Sequence, residues 1–256
     1  MKNARKFSLF LMFLLLPITI NYFSPYIIID GIVHKIAAGA FFIWVFMFIT
    51  SLIVGRAFCS YICPYGGLQM ITDAVIQKPL KEVKWLRKVK LILGLLWVVS
   101  IVGLLIAFKG FIKADIFYLT ETVVSVDSII KLIGYYVIVT GLLLLPFIIG
   151  KRASCHYLCP MSILNIAGTK IKNKLNIPSL RLLCDKSKCT SCKQCIKACP
   201  MSLDVMNMVE NEKMDNTECI LCGECSNTCR FGAVKRIYGR KVTFLSSKDA
   251  ASGETL

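Results

Sequence analysis

Apolar residues run through the chain as far as Ile149 in stretches long enough to cross a bilayer, separated by short polar and basic segments. Four runs stand out: Phe7–Phe23, Ile32–Val54, Leu91–Phe108 and Ile129–Ile149. Even the third spans roughly 27 Å as a helix, close to the hydrocarbon thickness. None shows the period-two alternation of a barrel strand, and backbone groups in hydrocarbon must be satisfied within their own segment, so the runs predict helices. Pro17 inside the first run predicts a kink. Between the second and third runs, Lys78–Lys90 predicts a basic helix along the membrane surface, anchored by Trp85. Gly110–Ser128 is too polar to span and too apolar for a free loop, and predicts an amphipathic element on the opposite surface. Its Asp115, Glu121 and Asp127 are candidate proton acceptors, although solvated charges are the plainer reading.

The chain divides into a membrane domain (1–175), a compact cysteine-rich domain (176–240) and a polar tail (241–256) that is expected to fray. With 256 residues, 56% of them hydrophobic, and a mean hydropathy of +0.65, an ordinary soluble domain is excluded. The net charge of +16 raises nucleic acid as a partner, but the Lys and Arg residues flank the apolar runs, which favours a lipid bilayer over nucleic acid. They cluster at Lys2, Arg5 and Lys6, and at Arg56, Lys78, Lys81, Lys84, Arg87, Lys88 and Lys90. Lys35 stands alone after the first run, and Lys109 and Lys113 are offset by acids after the third. This bias predicts a multi-pass protein of a bacterial or archaeal cytoplasmic membrane, with both termini and the cysteine-rich domain in the cytoplasm. The first run lacks a small-residue cleavage site and reads as a retained signal anchor.

The membrane domain repeats. "GRAFCSYICPYGGLQ" and "GKRASCHYLCPMSILN" align Arg56 with Arg152, Cys59 with Cys155, Tyr61 with Tyr157, Cys63 with Cys159 and Pro64 with Pro160, at a constant offset of 96 residues. Two spans followed by a C-x-x-x-C-P element, given twice, predict four transmembrane helices in two parallel repeats. Proline after the second cysteine places each pair across a helix end. Brought together, Cys59, Cys63, Cys155 and Cys159 offer a third metal or cluster site, a redox dithiol or thiols beside a quinone; packed thiols are the bland alternative. With His156 as a proton acceptor, these are the candidate catalytic residues. Arg56 and Arg152 read first as anchors at helix ends and second as partners of a nearby anion. The histidines, His34 and His156, fall on opposite membrane faces in this topology, which disfavours a bis-histidine haem.

The C-terminal domain is predicted to be small and α+β. Cys189, Cys192, Cys195 and Cys199 follow C-x2-C-x2-C-x3-C, and Cys219, Cys222, Cys225 and Cys229 repeat it. Three thiolates in seven residues wrap one [4Fe–4S] cubane, while the fourth, a helical turn on, ligates the other. One cluster then takes Cys189, Cys192, Cys195 and Cys229, and the second takes Cys219, Cys222, Cys225 and Cys199. Zinc sites use separated pairs instead, and a disulfide framework does not suit the cytoplasm. Arg230 stands where bacterial ferredoxins carry proline, and Cys184 is the odd thirteenth cysteine, read as a packed thiol. Phosphate-cradling glycine loops and Ser–His–Asp sets are not seen.

The spans, the elements Cys59–Pro64 and Cys155–Pro160, and the double motif Cys189–Cys229 together resemble the NapH-type membrane ferredoxins, the iron–sulfur quinol dehydrogenase subunits of periplasmic nitrate reductase systems. Polyferredoxin domains of nitrous-oxide reductase maturation proteins and a copper-reducing protein of cytochrome oxidase assembly are similar. The resemblance implies an oxidoreductase that takes electrons from the quinone pool and passes them through two [4Fe–4S] clusters to another redox protein, of ferredoxin or cytochrome type. Copper-ion reduction in an assembly pathway, or non-catalytic redox sensing or maturation, are the alternatives.

Overall fold

The computed structural model describes residues 2–80, 83–119 and 124–240. Lys81, Glu121 and the tail 241–256 lie outside the described residues. The fold is mostly helical, with a small two-stranded sheet in each part of the chain.

Helix α1 (Lys2–Leu14) bends by 61° into α2 (Leu16–Thr19), where Pro17 occupies the first turn. A proline there costs no hydrogen bond and fixes the new direction. Pro25 likewise opens α3 (Pro25–Val33). The second apolar run is not one helix from Ile32. Lys35 turns left-handed, and strand β1 (Ile36–Ala38) intervenes before α4 (Gly39–Val54). The short helix α5 (Phe58–Tyr61) carries Cys59, and α6 (Pro64–Val75) follows Cys63.

Helix α7 (Lys84–Ala107) is continuous from the basic segment into the third apolar run. A separate interfacial helix over Lys78–Lys90 is therefore not present: the segment through Leu80 is irregular, and nothing in "KWLRKVK" interrupts a helix. Gly110–Ser128 contributes one short strand among the described residues. Its element is β2 (Lys113–Asp115), paired in parallel with β1. Helix α8 (Ile129–Ile149) is capped by Ser128, whose hydroxyl accepts from the Lys131 amide, and α9 (Ala153–Tyr157) and α10 (Ser162–Lys174) repeat the order of α5 and α6. Among the described residues, three helices are long and apolar enough to cross a membrane, and the bent α1–α2 pair makes a fourth if counted as one span. The side chains of α8 point mostly outward, with Ile130, Val137 and Ile148 well exposed, as a lipid-facing helix requires.

The two repeats are packed through each other. Helix α10 lies so close to α4 that a Cβ on Gly168 would fall 2.9 Å from the Ser51 Cβ and closer still to its hydroxyl. Gly168→Ala is expected to destabilise the membrane part by about 1–3 kcal/mol through overpacking. Thermal unfolding in detergent checks this, and adding Ser51→Ala should restore part of the loss.

The cysteine-rich domain is closed by β3 (Ser179–Cys184) against β4 (Val234–Gly239), antiparallel with Ser179 opposite Gly239 and Cys184 opposite Val234. Between them lie α11 (Gln194–Ala198), α12 (Val205–Glu210) and α13 (Glu224–Thr228). Cys184 is buried in their core with Leu182, Val209 and Val234, and burial pushes its thiol pKa up.

Candidate electron-transfer site

The two terminal motifs have the same backbone. Ser191, Lys193 and Ser202 adopt positive φ, and so do Leu221, Gly223 and Gly232, each 30 residues later. Alternation of right- and left-handed residues turns successive N–H groups inward, a concavity suited to an anionic group. The motif then enters a five-residue helix, α11 or α13, and leaves it at Cys199 or Cys229.

Each loop borders a shallow hollow, about 390 Å³ with its open mouth counted in. Cys189, Cys192, Cys195 and Cys229 line one, with Phe231 and Val234. Cys199, Cys219, Cys222 and Cys225 line the other, in otherwise apolar surroundings. Three cysteines of one motif thus meet the fourth of its neighbour in both hollows. Among the described residues, no three His, Cys, Asp or Glu side chains converge as they would on a single metal ion. A polynuclear cluster, with its thiolates set further apart, suits the space better. Burial pushes the Cys199 thiol to about 11 and Cys219 to about 12, with Cys222 adding to both. Such crowded thiols ionise together only against a cationic centre.

The second hollow is fastened to the membrane part. Glu218, adjacent to Cys219, accepts from Arg56 Nη1 at 2.8 Å and from Lys90 Nζ at 2.8 Å. Arg56 also donates to the Thr217 carbonyl at 2.9 Å. Burial alone would raise the Glu218 pKa, but Arg56 and Lys90 outweigh it and hold the carboxyl at about 2. Glu224, adjacent to Cys225, accepts from Arg5 at 2.5 Å, and Arg236 donates to the Tyr61 hydroxyl at 2.5 Å. Arg152 pairs with Asp73 at 2.8 Å. Arg56 and Arg152 are therefore buried members of ion pairs as well as helix-end charges.

His156 belongs to this junction. Its Nε2 donates to the Met201 carbonyl at 3.1 Å and its Nδ1 faces Glu218 at 3.9 Å. Burial lowers its pKa to about 4, so it is neutral at pH 7. Ser154, Cys155, Leu158 and Cys159 of the same segment line the apolar cavity next to it, and His156 is not among the lining residues.

Cys59 and Cys155 sit on α5 and α9, and Cys63 and Cys159 each precede a proline between helices. Burial raises the Cys63 pKa, and Cys59, Cys159 and Cys155 each raise it further. The Asn165 amide points to Cys59 Sγ at 3.8 Å. Cys155 and Cys159 also border a cavity of about 1170 Å³ that includes its open mouth. Its walls are mostly apolar, from Phe23, Leu68, Ile138 and Leu142, with Asn21, Tyr65, Gln69 and Lys131 among its polar members. Gln69 donates to the Leu142 carbonyl at 2.9 Å, while its buried Oε1 has no partner among the described residues. Neither Glu218 nor Gln69 carries a sequence signature; each is a single polar residue whose surroundings arise only on folding.

Comparison with known proteins matches the description "4Fe-4S binding domain" to residues 36–81 and 132–178, the two halves that hold the C-x-x-x-C-P elements. "4Fe-4S dicluster domain" matches residues 188–234. Two uncharacterised proteins of Methanocaldococcus jannaschii, MJ0749 and MJ0750, are each 31% identical, over 73% and 75% of this chain. The chain spans 66% of the first and 76% of the second. The chain belongs to the membrane ferredoxin family. The putative electron transport protein YccM of Escherichia coli is 24% identical over 86% of this chain, which spans 63% of it. No solved structure matches. As a membrane ferredoxin, the protein is membrane-bound and serves iron–sulfur electron transfer.

Proposed function

We propose that this membrane ferredoxin oxidises quinol and delivers the electrons to a redox protein on the cytoplasmic side. One [4Fe–4S] cluster would be held by Cys189, Cys192, Cys195 and Cys229, and another by Cys219, Cys222, Cys225 and Cys199. When bound, these clusters supply one-electron storage without proton uptake. Cys59, Cys63, Cys155 and Cys159 are a candidate third centre, supported by the family match over both of their elements.

The observation that carries the reading is the apolar cavity, which touches Cys155 and Cys159, while Glu218, adjacent to Cys219 of the second hollow, is tied to Arg56, three residues before Cys59. In the cavity, apolar walls take a quinol ring and tail, and Gln69 Oε1 accepts a hydrogen bond from a ring hydroxyl that would otherwise lose its partner on leaving water. Oxidation of one quinol releases two electrons and two protons. The electrons go to the chain and the protons to the cavity mouth. Arg56 and Lys90 keep Glu218 ionised, which locks the ferredoxin part against the membrane face. The cytoplasmic placement is supported by Arg5, Arg56 and Lys90, basic residues that contact that part directly.

The test is anaerobic mixing with a reduced short-chain menaquinone analogue, following bleaching of the cluster absorbance. Gln69→Leu is expected to raise the apparent KM by about tenfold, the equivalent of one lost hydrogen bond, with iron content unchanged. Clusters present at full occupancy but never reduced by any quinol would rule the reading out.

A further inference from the structure

The hollows differ in what surrounds them. The second is flanked by Glu218 and Glu224, both tied to the membrane part, and its Cys225 is buried. Among the described residues, none of the membrane part lines the first, and its Cys192 is exposed. Lys188, Lys193 and Phe231 stand on its rim, with Phe231 54% exposed. Residues 186–203 hold four lysines, Lys186, Lys188, Lys193 and Lys197, and no acid. All four are exposed, and Lys193 and Lys197 lie one helical turn apart. The neighbouring acids are engaged: Asp185 pairs with Lys188 at 2.9 Å, and Asp204 caps α12 by accepting from the Asn207 amide at 3.0 Å. Glu210 and Glu212 lie at the far end of that helix. Arg230 and Lys235 add exposed positive charge beside Phe231.

An exposed aromatic on a rim shared with Lys188 and Lys193, over a thiol-lined hollow, has the anatomy of a small transient interface: an apolar centre and a charged rim. We propose that this face docks an acidic, soluble one-electron carrier protein. Carboxylates of the carrier meet Lys186, Lys193 and Lys197, its surface closes over Phe231, and single electrons cross there between the carrier and the group held by Cys189, Cys192, Cys195 and Cys229. No bond forms or breaks and no proton moves. The inference rests on the cluster reading above and adds the chemistry of the partner. Charge steering raises the encounter rate and makes it salt-sensitive. Anionic lipid is the competing occupant of a lysine patch, but the membrane contacts lie on the other hollow.

The test uses the full chain in phosphatidylcholine nanodiscs. The probe is a redox-silent, gallium-substituted plant-type ferredoxin, which is acidic, with a basic c-type cytochrome as comparison. Binding of the ferredoxin should weaken by about tenfold or more between roughly 0.05 and 0.5 M salt. The triple variant Lys186→Glu, Lys193→Glu, Lys197→Glu should lose about tenfold or more at low salt, with iron content unchanged. Phe231→Ala should weaken binding while keeping its salt dependence. Equal binding of the two probes, or a triple variant that binds as the parent does, would overturn the proposal. So would capture of phosphatidylglycerol vesicles that the triple variant abolishes while ferredoxin binding persists. Because the probe is redox-silent, chain without iron that still binds it sinks the cluster reading, whereas iron-replete chain without salt-sensitive binding sinks the docking face.

Discussion

Cys199→Ser is expected to empty the hollow lined by Cys219, Cys222 and Cys225 and to leave the other filled, although Cys199 belongs to the first motif. Cys229→Ser should do the reverse. The reason is geometric: α11 and α13 carry the fourth cysteine of each motif away from its own loop and into the neighbouring hollow. Each variant should lose about four irons per chain, with matching acid-labile sulfide. Their functional outcomes should differ. Without the group beside Glu218, electrons from quinol have no near acceptor in the ferredoxin part, so Cys199→Ser should abolish quinol-dependent bleaching of what remains. Cys229→Ser should keep bleaching and lose delivery to the soluble partner. Iron and sulfide counts, with EPR of the dithionite-reduced proteins, decide the ligand sets. The same variants losing the hollow of their own motif would show that ligation is not crossed.

Glu218→Ala should produce the largest loss of stability from a single residue outside the cysteines. It leaves Arg56 and Lys90 buried, charged and without the carboxylate that faces both. Breaking one side of a buried charge network costs about 3–5 kcal/mol, because the remaining charges are stranded away from water. The loss should appear as a lower melting temperature in detergent and as protease cleavage between the membrane part and β3. The control is Arg56→Met with Lys90→Met and Glu218→Leu. Replacing a whole buried network by apolar groups of similar size is often close to neutral, so this triple variant should recover much of the loss. If Glu218→Ala melts as the parent does, the junction is held by apolar packing and the ion pairs are incidental.

The cluster loops were legible in the sequence because their candidate ligands lie within one local segment, where spacing fixes reach. The same holds for the C-x-x-x-C-P repeat, whose two copies fold into matching helix, break and helix. The boundaries around His34 were not legible: Lys35 turns left-handed to admit β1, which pairs with β2 more than seventy residues away. Long-range pairing of three-residue strands leaves no periodic trace. The helix starting at Lys84 was misread as interfacial because its composition is basic, while helix propensity is indifferent to that charge. His156 adjoins Cys155 in sequence. Neighbours on a helix point about 100° apart, and the imidazole turns to Glu218 and Met201. Glu218, Gln69 and Asn165 acquire meaning only from residues 73 to 162 positions away.

The most direct measurement is iron, acid-labile sulfide and EPR on protein purified without air. The account predicts at least about eight irons and as many sulfides per chain, with reduced signals broadened by magnetic coupling between two neighbouring cubanes. A colourless protein with zinc in place of iron and no labile sulfide would contradict it.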